Sequence, residues 1–309
     1  MSTKTHRSGL DLGRQVDFAL VDVFADRPLT GNPLAVVPDA DHLSDDRMRA
    51  IAREFNQSET TFLLQPTRAG ADQRLRSFTA AGHEVGGAGH NALGAWLWLA
   101  HSGRFVRGIH HQEMGDEVWA IESVRDASDR VNVVMVQSAP RFGATVDDLP
   151  GLAAALGLGE HQLDRTLPIQ VVSTGAGHLL VPLVDRESVD RVSIDAARLR
   201  EILASSGGEG CYVFTTARPS AHDGVHAYTR FFNPTMGIVE DPATGTAAGP
   251  LAALLVDQGR VADGSTVVID QGHVLGRPSR LRVGVAGGVV RLSGGGITVA
   301  AGTLAVGAG

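Results

Sequence analysis

The most informative part of this chain is a run of ten residues, Glu240-Asp241-Pro242-Ala243-Thr244-Gly245-Thr246-Ala247-Ala248-Gly249. It places two carboxylates, a proline, two threonine hydroxyls and two glycines directly before the apolar residues 250–256. This order predicts a loop that ends at the start of a buried helix. The N–H groups of a first helical turn have no acceptor within the helix, and the helix dipole attracts negative charge to them. The run is therefore either an ordinary capped helix start or a binding site for a carboxylate or another anion.

The composition indicates a globular protein that binds neither nucleic acid nor a membrane. The 309 residues are 43% hydrophobic and 20% charged, with a formal net charge of −7. Such an acidic chain has no basic stripe to neutralise phosphates, and no apolar run reaches the ~20 residues of a membrane-spanning helix. The single cysteine, Cys211, excludes an internal disulfide and a cysteine-based metal cluster. Residues 1–15 are polar and basic, which predicts a disordered lead-in, no secretory signal and a cytoplasmic protein.

A second copy of the same pattern occurs about half a chain earlier. A predicted strand at residues 74–79 leads through a glycine-rich loop to a predicted helix at residues 92–100. Placing His90 on Thr246 also places Gly103 on Gly259 and Arg104 on Arg260. Two similar halves that face each other would bring both helix starts to one cleft. We therefore expect His90 on one wall of this cleft and Asp241 on the other.

A third candidate residue, Glu59, lies where a helix capped by Ser44 ends and a strand begins. Two carboxylates and a histidine on opposed walls suit the removal and return of a proton on a small carbon acid. Burial would raise the pKa of a glutamate toward neutrality, where it can both accept and donate a proton. Helix-start amides would bind the substrate carboxylate. This chemistry needs no cofactor, and the histidines show no spacing typical of a metal site.

Five segments together resemble the PhzF (phenazine biosynthesis) family. They occur in the family's order: Gly31-Asn32-Pro33-Leu34-Ala35-Val36-Val37, Ser58-Glu59-Thr60-Thr61-Phe62, Ala88-Gly89-His90, residues 240–247, and Gln271-Gly272 with Gly276-Arg277-Pro278-Ser279. The resemblance implies the diaminopimelate-epimerase-like α/β (α+β) fold, with two pseudo-symmetric halves and usually a homodimer. Each half is a curled, mainly antiparallel sheet around a central helix. We assign residues 16–143 and about 297–309 to the N-terminal half and residues 144–296 to the C-terminal half, with the active site between them.

The resemblance also implies a function, a cofactor-independent isomerase similar to trans-2,3-dihydro-3-hydroxyanthranilate isomerase. By motif, Glu59 matches the family's acid/base glutamate, and His90 and Asp241 match its other polar catalytic residues. The residues expected to bind the substrate carboxylate lie at the two helix starts: Gly89, Asn91, Gly245, Thr246 and Ala247. Two of them depart from the family pattern, because Asn91 replaces a proline and Thr246 replaces a serine. These departures bear on the identity of the substrate.

Two alternatives remain open at this point. Related epimerases and proline racemases use a pair of cysteines at positions that match Ala88 and Thr244, and this chain has only Cys211. An amino-acid epimerase or racemase-like enzyme would therefore have to work without the two-cysteine pair. The other alternative is a non-catalytic protein of the same fold that binds a small molecule in the cleft.

Overall fold

The computed structural model describes residues 13–86, 89–105, 107–126, 128–217 and 224–307. The predicted disordered lead-in at residues 1–15 lies almost wholly outside them, as does Ala88. Within the described ranges, 17 strands form one continuous sheet. Their bounds are β1 (Gln15–Val23), β2 (Asn32–Val37), β3 (Glu59–Leu64), β4 (Gln73–Thr79), β5 (Glu84–Val85), β6 (Gly108–Met114), β7 (Glu117–Arg125), β8 (Val131–Gln137), β9 (Arg141–Thr145), β10 (Gln170–Ser173), β11 (Gly177–Pro182), β12 (Gly210–Thr215), β13 (Ala227–Asn233), β14 (Ile238–Asp241), β15 (Thr266–Gln271), β16 (Ser279–Ala286) and β17 (Val289–Ala305).

The α-helices either lie inside the curled sheet or cover its outer face. Their bounds are α1 (Asp45–Phe55), α2 (His90–His101), α3 (Leu149–Ala155), α4 (Arg186–Arg191), α5 (Ala196–Ser206) and α6 (Gly245–Asp257). In the part of the chain that is described, no helix has the length and apolar character that a membrane crossing requires. Ser44 caps α1 as predicted, because its hydroxyl accepts a hydrogen bond from the Arg47 N–H.

The strands curl around two central helices, and the long strand β17 connects the two curls. In the first curl, β1, β2, β3, β4, β6, β7, β8 and β17 pair in a closed ring. The second is a run of paired strands from β9 through β10, β11, β12, β13, β15 and β16 to β17. The last part of β17, residues 296–305, pairs with β1. The boundaries of the two halves, given above from the sequence, remain a prediction.

The central helices α2 and α6 are buried on almost every side. Helix α2 packs on β1, β2, β3, β8 and β17, and α6 packs on β10, β11, β16 and β17. Both sequences are apolar all round, as a fully enclosed helix must be. Side chains from the two helices, including Trp96 and Leu251, belong to one continuous hydrophobic core. The predicted fold class is thus confirmed. One boundary was wrong, since α2 begins at His90 rather than Ala92 and places the histidine in its first turn.

Candidate active site

Glu59 enters the site as the first residue of β3. Helix α1 ends at Phe55, and the next residue, Asn56, has a left-handed backbone (φ 49°) that ends the helix shortly before this strand. β3 lies between β2 and β4, so the backbone that carries Glu59 is fixed on both sides. The Glu59 side chain is 18% exposed, so the carboxyl group is largely desolvated but still reachable from the cleft.

His90, the first residue of α2, lies beside this carboxyl group. Its Nδ1 lies 3.6 Å from Glu59 Oε2, and the imidazole is almost fully buried. Among the described residues, its Nε2 has no hydrogen-bond partner. Burial lowers the pKa of His90 to about 4, so the ring is neutral at neutral pH. The predicted proximity of the glutamate and the histidine is therefore present in the structure.

Asp241 ends β14 and joins segments that are far apart in the sequence. Its Oδ2 accepts from Thr244 Oγ1 at 2.5 Å, and its Oδ1 accepts from Asn32 Nδ2 at 2.9 Å and from Ser58 Oγ at 3.4 Å. Burial raises the pKa of Asp241 to about 6, and the three donors oppose the rise. Because Ser58 precedes Glu59, the hydrogen bond to Ser58 also places the two carboxyl groups in the same region.

The two carboxyl groups have different proton affinities. Burial, followed by the negative charge of Asp241, raises the pKa of Glu59 to about 8. Asp241 accepts three hydrogen bonds, which stabilise its ionised form, whereas Glu59 has the neutral imidazole of His90 as its neighbour. At neutral pH the site thus contains a mainly protonated Glu59 beside an ionised Asp241. Neighbouring carboxyl groups whose pKa values are separated in this way are typical of acid/base sites.

The two helix starts face each other directly. A Cβ atom built on Gly89 would lie 3.3 Å from Thr246 Cγ2. In the described part of the chain, the N–H groups of Gly245 and Thr246 have no acceptor, as expected at a helix start. The N–H of Ala247 is already bonded to the Thr244 carbonyl at 3.2 Å. Of the residues predicted to bind a carboxylate, Gly245 and Thr246 therefore offer amide donors, and Gly89 provides the space.

Asn91 forms a hydrogen bond within the loop that precedes α2. Its side chain is buried, and its Oδ1 accepts a hydrogen bond from the Gly89 N–H at 2.7 Å. The side chain therefore shapes the loop before α2. Asn91 stands where the family motif has a proline, so an internal hydrogen bond fixes this loop where the family has a rigid ring. The role of Asn91 in substrate binding remains a prediction.

Three further residues of the sequence motifs contact Asp241, although the sequence predicted no role for them. Asn32 bridges Asp241 and the carbonyl of Ala243, Ser58 donates to Asp241, and Gln271 donates to the Asp241 carbonyl at 2.7 Å. Asn32 follows Gly31, whose φ of 69° and contact with the Val23 carbonyl leave no room for a side chain. A polar residue inside a turn that only glycine permits is the signal that could have identified Asn32.

A groove of about 900 Å³ lies elsewhere on the surface. Arg125, Arg130 and Arg282 are among its lining residues, whereas Glu59, His90 and Asp241 are not. Arg125 and Arg130 form ion pairs with aspartates of the same groove. We therefore place the candidate active site by its chemistry and not by the volume of a groove.

Several known proteins are similar to this chain over most of its length. The profile of the family described as phenazine biosynthesis-like protein (PhzC-PhzF) matches residues 21–302. A trans-2,3-dihydro-3-hydroxyanthranilate isomerase from Pseudomonas chlororaphis is 35% identical over 292 residues, which cover 93% of this chain and 98% of the relative. A PhzF-family protein of Bacillus anthracis superposes with a TM-score of 0.88 at 25% identity, covering 94% of this chain and 99% of its own. A hydroxyproline epimerase from Agrobacterium vitis shares the fold, with a TM-score of 0.59 at 14% identity and coverage of 94% and 93%.

Proposed function

Because the chain belongs to the phenazine biosynthesis-like (PhzF) family and is an isomerase of that type, we propose that it moves a proton on a small carboxylated metabolite without a cofactor. The observation that carries this proposal is that Glu59, His90 and Asp241 lie close together beside two helix starts that face each other. A glutamate with a pKa near 8 can exist in both protonation states near neutral pH. A group that first accepts and then returns a proton needs this property.

The proposed reaction uses one carboxyl group for both steps. The ionised Glu59 removes a proton from a substrate carbon, and the electron pair of that C–H bond enters the adjacent unsaturated system. Glu59, now protonated, exchanges this proton with solvent and delivers a proton to a carbon at the other end of that system. The number of atoms and electrons is unchanged, so the reaction requires no oxidant or reductant. Asp241 stays ionised and raises the proton affinity of Glu59, which favours removal of a weakly acidic proton.

The substrate class follows from the groups that surround Glu59. The N–H groups of Gly245 and Thr246 are suited to a carboxylate, which the N-terminal dipole of α6 also attracts. The neutral ring of His90 beside Glu59 suits a substrate that is uncharged at the reacting carbon. The relative from Pseudomonas chlororaphis is named as an isomerase of trans-2,3-dihydro-3-hydroxyanthranilate, an unsaturated cyclic carboxylate. We therefore propose a cyclic or unsaturated carboxylate as the substrate.

The two-thiol chemistry of the related racemases finds no support among these residues, so the epimerase or racemase-like alternative would have to work without the two-cysteine pair. Cys211 lies on β12 and is fully buried, and burial raises the pKa of its thiol to about 12. Thr244, the residue before α6, matches by motif a cysteine of the related racemases, and its hydroxyl donates to Asp241. The likeness to the epimerase from Agrobacterium vitis concerns the fold.

Transfer of deuterium from heavy water tests the proposal. Incubation with trans-2,3-dihydro-3-hydroxyanthranilate in heavy water should give product with one deuterium at a ring carbon, detected by proton NMR and mass spectrometry. Proline and other amino acids serve as controls, because a racemase would exchange their α-hydrogens. Ligand binding without exchange into any of these compounds would contradict the proposal and favour a non-catalytic binding protein.

The pH dependence of turnover gives an independent prediction. Only ionised Glu59 accepts a proton, so kcat/KM should rise with pH and level off above an inflection near pH 8. In Asp241→Asn the neighbouring negative charge is absent, and the inflection should move to lower pH. The measurement is the initial rate between pH 5.5 and pH 9.5 in buffers of constant ionic strength. A rate that falls with rising pH over this range would contradict Glu59 as the base.

The homodimer remains a prediction from the family resemblance, and the cytoplasmic location remains a prediction from the polar residues 1–15. Light scattering of the purified protein after size exclusion measures the oligomeric state directly. A mass of twice 32.4 kDa is expected.

A further inference from the structure

His178 is a buried histidine with no part in the reaction described above. It lies on β11 beside Gly210 of the parallel neighbour β12, and it is 3% exposed. Its ring meets the ring of Phe231 edge to face, with 5.0 Å between centroids. Burial lowers the pKa of His178 to about 4, so the imidazole is neutral over the physiological range. A neutral imidazole has one N–H donor and one acceptor nitrogen.

The two ring nitrogens have different surroundings. His178 Nε2 lies 3.2 Å from Thr246 Oγ1, whereas Nδ1 has no hydrogen-bond partner among the described residues. Within the same ranges, Thr246 Oγ1 makes no other hydrogen bond. Thr246 is half-buried, while the residues on either side of it are buried. The threonine is therefore the side chain of this helix turn that reaches the cleft, and His178 contacts it from inside the protein.

The tautomer of His178 decides what the threonine can offer to a ligand. If Nδ1 carried the proton, this buried N–H would have no acceptor, and the Thr246 hydroxyl would donate its hydrogen bond to Nε2. If Nε2 carries the proton, only an acceptor nitrogen is left unpaired. Orphaned buried N–H groups are rarer in proteins than under-used acceptors. The Nε2–H tautomer is thus favoured, and Thr246 Oγ1 is the acceptor.

We propose that His178 is a positioning residue: it donates Nε2–H to Thr246 Oγ1 and leaves the threonine's own proton to bind an anionic oxygen in the cleft. This inference rests on the proposed function in that the substrate carries a carboxylate. The threonine has little freedom, because its methyl group lies against Gly89 and its oxygen faces His178. The hydroxyl then acts together with the N–H groups of Gly245 and Thr246 on the same anion.

Nitrogen NMR of the histidine rings tests the tautomer without any ligand. In ¹⁵N-labelled protein, His178 should show a protonated Nε2 and an unprotonated Nδ1 from pH 5.5 to pH 8.5. The signals are assigned by their loss in His178→Phe, which keeps an aromatic ring against Phe231. A protonated Nδ1, or a ring that becomes charged within this range, would overturn the proposal.

A double-mutant cycle in ligand binding tests the role. The ligands are 2-aminobenzoate and its uncharged analogue 2-aminobenzamide, measured by calorimetry. His178→Phe and Thr246→Val should each weaken the binding of 2-aminobenzoate about tenfold. A loss of this magnitude is typical when a hydrogen bond to a charged group is removed. The double variant should bind 2-aminobenzoate no more weakly than Thr246→Val, since both changes act through the same hydrogen bond from Thr246 to the ligand. The affinity for 2-aminobenzamide should change less than twofold in these variants. Thr246→Ser should retain the affinity for 2-aminobenzoate.

The outcomes separate this inference from the proposed function. Equal losses of affinity for 2-aminobenzoate and 2-aminobenzamide would indicate a merely structural role for His178 and overturn the inference. It would also be overturned if the two single-variant losses of affinity multiplied in the double variant. Failure of the unmodified protein to bind 2-aminobenzoate would also overturn it. The proposed function is tested by deuterium transfer, so a protein that shows the expected binding pattern but no transfer would retain this inference and lose the proposed function.

Discussion

Glu59→Gln should lower kcat by about 10³-fold or more and abolish the transfer of deuterium from solvent to product. General acid/base groups contribute about 10²–10⁴-fold, and here a single carboxyl group would serve in both proton transfers. Glutamine has nearly the same shape and keeps the packing at the start of β3, but it cannot accept a proton from carbon. The measurement compares turnover and deuterium content with the unmodified protein under the same conditions.

A matched control separates loss of the base from loss of the fold. Glu54 lies on the exposed face of α1, so Glu54→Gln removes one carboxylate without touching the cleft and should leave turnover unchanged. Circular dichroism spectra of both variants should match the unmodified protein. Full turnover in Glu59→Gln would show that another group takes the proton.

Glu59→Gln should also make the protein more stable in mildly alkaline solution. The folded state raises the pKa of Glu59 from the ordinary value of 4.5 to about 8, so between these values the folded state keeps a proton that the unfolded state releases. The free energy of unfolding therefore falls as pH rises through this window, and above pH 8 the full cost of burying the charge is present. Glutamine avoids that cost. The melting temperature of Glu59→Gln should exceed that of the unmodified protein by several degrees at pH 8.5, and this difference should vanish near pH 4.5.

Arg230→Met should cause the second large effect, a loss of stability of about 3–5 kcal/mol. Arg230 forms a buried bidentate ion pair with Glu240 at 2.9 and 2.8 Å. Its remaining nitrogen donates to carbonyl groups at the end of α4, including that of Val192 at 2.8 Å. Removing the guanidinium leaves a buried carboxylate without its counter-ion and several carbonyls without a donor. Differential scanning calorimetry or urea unfolding measures the loss.

Two further variants identify the cause of this loss. Arg230→Met combined with Glu240→Met removes the unpaired charge and should recover part of the stability, while the carbonyls of α4 stay unsatisfied. Arg191→Met removes an exposed ion pair with Glu187 and should change stability by less than about 1 kcal/mol. The prediction is wrong if Arg230→Met destabilises the protein no more than Arg191→Met. Because Glu240 precedes Asp241, this ion pair also fixes the strand that carries Asp241 into the site.

Several features of this protein were determined by the sequence alone. The apolar residues after Gly245 predict a fully buried helix, and Ser44 predicts the start of α1, because both depend on neighbours within one or two turns. The order of the motifs was sufficient to predict the family, the fold class and an isomerase. The same motifs contained Glu59, His90 and Asp241, although nothing in their spacing showed that they meet.

The tertiary structure decided how these residues are paired and charged. Asp241 has Asn32 and Ser58 as donors, and His178 approaches Thr246 of α6 from strand β11. The raised pKa of Glu59 depends on the desolvation that surrounding elements impose and on the charge of Asp241. Desolvation and long-range hydrogen bonds are set by whichever distant segments pack around a group, so local sequence patterns do not record them. Helix starts and apolar faces depend on adjacent residues, which is why the sequence alone was sufficient to predict them.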